Sequence, residues 1–120
     1  MKKITAIVQT HSGTVTWPAY TTSTPGLVVC RHPWQDYDNP GGFKPGDGWR
    51  IVHVASGRMP PMCSNFRTRR NAALFAYMLG SIADWELDEG ELLELSRQDR
   101  DAGKGWPDRF REMKQRVFGK

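Results

Sequence analysis

Two cysteines and two of the three histidines offer the most direct route to chemistry. Cys30 and His32 stand two apart, the spacing that puts both side chains on one face of a strand. His53 and Cys63 follow in a stretch that reads as a hairpin. Two thiolates and two imidazoles would make a tetrahedral zinc set, but the close Cys-x₂₋₄-Cys pairing of structural zinc sites is missing. Buried structural cysteines and a hydrogen-bonded histidine account for the same residues. The expectation is therefore no cofactor, with zinc on Cys30, His32, His53 and Cys63 as the alternative. The start Met1-Lys2-Lys3-Ile4 has no signal-peptide core, so a cytoplasmic location without a disulfide is expected.

Catalytic constellations are sparse. His32 heads the run His32-Pro33-Trp34-Gln35-Asp36-Tyr37-Asp38, and a histidine with two carboxylates suits a divalent ion. Aspartate and proline are also turn formers, which explains the run without chemistry. No Gly-x-Ser-x-Gly elbow, Walker loop or His-Glu-x-x-His is present. Gly41-Gly42 and Gly46/Gly48 do not join a strand to a helix, so they fail as phosphate cradles. The chain is not expected to be an enzyme.

A basic and aromatic set carries more. Arg67, Arg69 and Arg70 crowd the start of a predicted helix, where free backbone N–H groups suit phosphate. Arg50 and Arg58 flank the hairpin that leads into it, while Trp34, Tyr37 and Phe43 can stack on bases or fill a partner's pocket. The bland alternative is that arginines coat surfaces and loop aromatics cap cores.

Charge is segmented. The net +4 splits into nine basic and three acidic residues over 1–83, eight acids against Arg97 and Arg100 over 84–101, and six basic against two acidic over 102–120. The acidic block reads as a solvated helix, a docking face for a basic partner through Glu91 and Glu94, or a set of internal pairs with the C-terminal cations.

These residues must be positioned by a single domain, since 120 residues suffice to bury roughly two-thirds of the unfolded surface. The first half, 1–63, reads as strands. Ile4, Ala6 and Val8 alternate with polar residues, His11-Ser12-Gly13 turns the chain, and Val15, Trp17 and Ala19 resume the alternation. Leu27–Arg31 is a short strand, and the breakers Pro33, Pro40, Gly41, Gly42, Pro45, Gly46 and Gly48 predict a long irregular loop over 32–48. Trp49–Ala55 is a strand that turns at Ser56-Gly57 and returns as Arg58–Cys63, an edge strand because of Pro60-Pro61.

The second half, 68–120, reads as helices. Thr68 caps the first, about Arg69 to Asp84, with Leu74, Met78, Ile82 and Trp85 at helical spacing. Asp88 and Glu91 form a capping box for the second, which buries Leu92, Leu93 and Leu95 and stops at Gly103. Pro107 opens the third, striped by Phe110, Met113 and Val117. Strands followed by helices predict an α+β fold: a mainly antiparallel sheet of four to five strands, then three helices, the first packing on the sheet.

The stretch Trp49-Arg50-Ile51-Val52-His53-Val54-Ala55-Ser56-Gly57, then Phe66-Arg67-Thr68-Arg69, Ala72-Ala73 and Asp84-Trp85, resembles small proteins of actinobacterial phages and mobile elements. That family has no assigned activity, so the resemblance brings no functional residues. More loosely, a hairpin followed by a helix is similar to the β-β-β-α DNA-binding domains of integrase arms and plant AP2 factors, whose sheet reads DNA. Here Pro60-Pro61 would spoil that face. The expectation is a non-enzymatic phage or mobile-element accessory protein that binds a macromolecule: a host protein, or alternatively a nucleic acid.

Overall fold

Alternation at the start of the chain becomes a hairpin. The computed structural model describes residues 1–39 and 41–119; Pro40, inside the expected loop, and Lys120, in the basic C-terminal segment, lie outside the described residues. β1 (Lys3–Thr10) and β2 (Gly13–Thr21) pair antiparallel, with Ala6 opposite Trp17 and Val8 opposite Val15. β3 (Leu27–Asp36) and β4 (Gly42–His53) form a second hairpin, and the sheet runs β1-β2-β3-β4, antiparallel throughout. Three helices follow: α1 (Arg69–Leu79), α2 (Glu89–Ala102) and α3 (Trp106–Phe118). α1 packs on β3 and β4, so the fold is α+β, with four strands and then three helices.

The expected loop over 32–48 is largely ladder. β3 and β4 stay paired out to Asp36 opposite Gly42. Pro33 faces Pro45, which fits the rung of an antiparallel ladder where neither residue donates inward. A register shift between Arg31 and Pro33 absorbs the remaining misfit. Gly46 is needed at this end because Trp34 crosses over it; a Cβ there would come within 2.1 Å of the indole Nε1.

The expected return strand is also corrected. Residues 58–66 run along the free edge of β4 as an irregular strap with one isolated bridge, Trp49 to Phe66. Pro60-Pro61 removes two donors, and Met62 and Asn65 both take φ of 63°, so no continuous ladder forms. The strap still accepts from the edge through its carbonyls: His53 N–H donates to Arg58 O and Ile51 N–H to Cys63 O.

α1 stops at Leu79, capped at Gly80, rather than running to Asp84. Its buried stripe is Ala72, Phe75, Ala76 and Leu79, while Leu74 is exposed. α2 buries only Leu92 and leaves Leu93 in solvent. The Thr68 cap and the Asp88/Glu91 capping box form as expected.

Two clusters lie on opposite faces of the sheet. Leu27, Val29 and Ile51 meet α1, Trp85, Trp106 and Phe110 on one side. Ala6, Val8, Trp17 and Ala19 meet Val28, Cys30 and Val52 on the other. The second cluster forms because β2 pairs with β3 only at Tyr20–Val29 and Thr21–Val28, so the first hairpin curls over the second. Gln9 N–H bonds to Gly57 O and closes the curl against the turn after β4.

Candidate functional site

The curl leaves a cleft of about 600 Å³ between the β1–β2 turn and the outer half of the second hairpin. The bulge after Arg31 and the alternation of β4 bring His32 and Arg50 to its wall. Arg58 reaches it from the strap, His11 from the β1–β2 turn, and Trp34, Tyr37 and Phe43 from the hairpin end. Among the described residues no carboxylate lines it. Five of the sequence-predicted binding residues thus converge, although they span 34 to 58 in the chain.

Arg50 is the least satisfied group in the cleft. Its guanidinium donates to His32 Nδ1, which makes His32 the neutral Nε2–H tautomer. Its Nε is buried without a hydrogen-bond partner among the described residues. Burial lowers the His32 pKa from its ordinary 6.5, and the positive charges of Arg50 and His11 lower it further. Burial likewise lowers Arg50 itself, opposed by Cys30. Cys30 behind it is fully buried, and that burial pushes its thiol up to about 11 against the pull of Arg50. The cleft is therefore a cationic, aromatic concavity in which, among the described residues, Arg50 has no counter-charge of its own. Trp34 and Tyr37 are 53% and 84% exposed, enough to offer ring surface to a ligand.

Other expected residues lie elsewhere. Arg67 and Arg70 are exposed near the start of α1, and Arg69 stacks on Tyr20 with its guanidinium carbon 4.2 Å from the ring centroid. Arg31 lies over Trp49 at 5.6 Å. None of these lines the cleft. Glu91 serves the α2 capping box, and Glu94 pairs with Arg97. Arg58, at the cleft, pairs with Glu89 at 3.1 Å.

The proposed zinc set is split. Cys30 belongs to one core cluster and Cys63 to the other, on opposite faces of the sheet. His53 is held on both sides: its Nε2–H donates to Leu87 O, and its Nδ1 accepts from Ser56 Oγ, each at 2.8 Å. No three His, Cys, Asp or Glu residues among those described converge on a common point.

His11 and Gln9 were not legible as site residues. His11 carried only a turn signal, and nothing local says that this turn folds onto β3 and β4. No protein-family model, curated protein or solved structure matches the chain.

Proposed function

We propose that this protein binds nucleic acid through the Arg50 cleft, as a non-enzymatic accessory factor of the phage or mobile-element kind that the 49–85 stretch resembles. The observation that carries the reading is the cleft lining: arginines, histidines and exposed aromatics together, with no carboxylate among the described residues. Phosphates supply the missing counter-charge and bases the partners for the rings.

The charge distribution supports the same reading. In the helical half, Asp99 pairs with Arg109, Asp108 with Arg111, and Glu112 with Lys104. Among the described residues, Arg31, Arg50 and Arg67 of the sheet half make no salt bridge, nor do Arg69 and Arg70 at the start of α1. The helical half neutralises itself and leaves the positive excess on the sheet side. Among the described residues no helix is long and apolar enough to cross a membrane.

A mobility shift on mixed DNA and RNA at two salt concentrations tests this. Binding that weakens steeply with salt is expected, because phosphate contacts release counterions. No shift at low salt would sink the reading. A second reading, a host-protein partner, rests on Leu93, which is 64% exposed on α2 between Glu91 and Glu94. It requires a specific pull-down from the host that is lost on Glu91→Lys/Glu94→Lys; unchanged recovery would remove α2 from that role.

A further inference from the structure

We propose that the cleft seats one nucleotide of a single strand, with a backbone phosphate at Arg50 and His32 and the attached base stacked on Trp34. The inference rests on the nucleic-acid reading above and adds the form of the ligand and its register.

Three features fix that register. The first is the anion position. Arg50 has no carboxylate partner among the described residues, its buried Nε is unpaired, and its one side-chain contact is a neutral imidazole. A charged donor set of this kind gains most from an external oxyanion, because charge-assisted hydrogen bonds are the strong ones. The second is the platform. Trp34 is half exposed, yet its indole is seated against the Gly46 backbone, where no side chain fits. The ring is thus placed before any ligand arrives, which limits the ordering cost of stacking.

The third is the distance between them. The His32 and Trp34 rings are in edge-to-face contact with centroids 6.0 Å apart, so a phosphate at His32 and a base on Trp34 would be adjacent groups of one nucleotide. The cleft volume of about 600 Å³ suits a single nucleotide rather than a duplex, and small-ligand pockets span roughly 300–1,000 Å³. A base paired within a helix has both faces stacked on neighbours and cannot also stack on Trp34; a splayed base can.

The test is fluorescence anisotropy of a labelled thymidine oligonucleotide, single-stranded and as the duplex with its complement, over a range of salt. The proposal expects the single strand to bind more tightly than the duplex. Trp34→Ala should weaken single-strand binding roughly tenfold, the effect of losing one stacked base, with an unchanged salt slope. Trp34→Phe should restore most of that loss. Arg50→Gln should instead lower the salt slope by about 0.7, the contribution of one single-strand phosphate contact. Near-ultraviolet circular dichroism checks that each variant keeps its packing, and His32→Gln removes the imidazole should Arg50→Gln fail to fold.

Duplex binding that equals or exceeds single-strand binding, with Trp34→Ala silent, would overturn this inference while leaving the nucleic-acid reading intact. No binding of either form at low salt would overturn both. A host protein captured through Trp34, and not displaced by oligonucleotide, would assign the cleft to a protein and also overturn the proposal.

Discussion

At the scale of single residues, His32 and Arg50 set the character of the cleft. Arg50 stays cationic beside an imidazole that must stay neutral to accept its hydrogen bond. His32 is thus a base whose folded-state pKa lies below its ordinary 6.5. Between the folded value and 6.5 the unfolded chain binds more protons than the native one, so the contribution of His32 to native stability is present above 6.5 and is lost as pH falls through that window. Thermal midpoints measured from about pH 5 to about pH 7.5 should show this slope, and His32→Gln should flatten it. An unchanged slope in His32→Gln would place the acid sensitivity elsewhere. Cys30 and His32, read in the sequence as sharing one strand face, both feel the charge of Arg50, but the second thiol does not join them. Cys63 faces the helices, where its thiol is pushed far above its usual range by burial.

At the scale of elements, the turns and caps divide into those written locally and those imposed by distant backbone. Asp88 is of the first kind: its carboxylate accepts from Glu91 N at 2.8 Å, and Glu91 Oε1 returns to Asp88 N. Asp88→Ala should cost about 1 kcal/mol, read from chemical denaturation. Gly57 is of the second kind. It was legible as a turn residue, and it takes φ of 71°, but a Cβ there would also sit 2.8 Å from Ile7 O on β1. Gly57→Ala should therefore cost about 1–3 kcal/mol from backbone conformation alone, and more from the crowding of β1. A loss under about 0.5 kcal/mol, the usual scale of surface substitutions, would show that the curl does not close there. The β3–β4 extension was illegible for a related reason. Proline and glycine density argues against strands only where an N–H must donate to a neighbour, and the outer half of this hairpin has no strand from β2 beside it.

At the scale of the whole molecule, an aromatic cluster ties α1, α3 and the strap to one face of the sheet, and α2 joins the same core through Leu92. Phe110 on α3 is fully buried, stacks on Trp106 with centroids 5.6 Å apart, and meets Phe75 of α1 edge on. Trp85 joins it, with its indole N–H donated to Leu79 O. Phe110→Ala should cost about 3–5 kcal/mol and lower the thermal midpoint of a single cooperative transition. A separate early transition with the sheet intact would show instead that α2 and α3 fold as an independent unit. Electrostatics divides at the same scale, since the acids of residues 84–101 are mostly engaged within the helical half. Docking through that block would have to displace Arg97 from Glu94 and Arg109 from Asp99, whereas Arg50 on the sheet side makes no salt bridge among the described residues and needs no such exchange.

By itself the amino-acid sequence determined the order of strands and helices, the caps at Thr68 and Asp88, the stop at Gly103 and the reversal of charge along the chain. These depend on side-chain periodicity and on contacts within a few residues, which any stretch of chain carries with it. Tertiary structure alone decided that the two hairpins curl together, that the proline-rich run stays paired, and that His11, His32, Arg50 and Trp34 share one cleft. Those outcomes depend on which backbone edge lies beside which, and on a register shift between two residues. The chain also placed arginines at the start of α1 and beside the hairpin alike, and local pattern treats the two sets as equals. Only folding separated them, setting Arg69 on Tyr20 and turning Arg50 into a cleft that no carboxylate lines among the described residues.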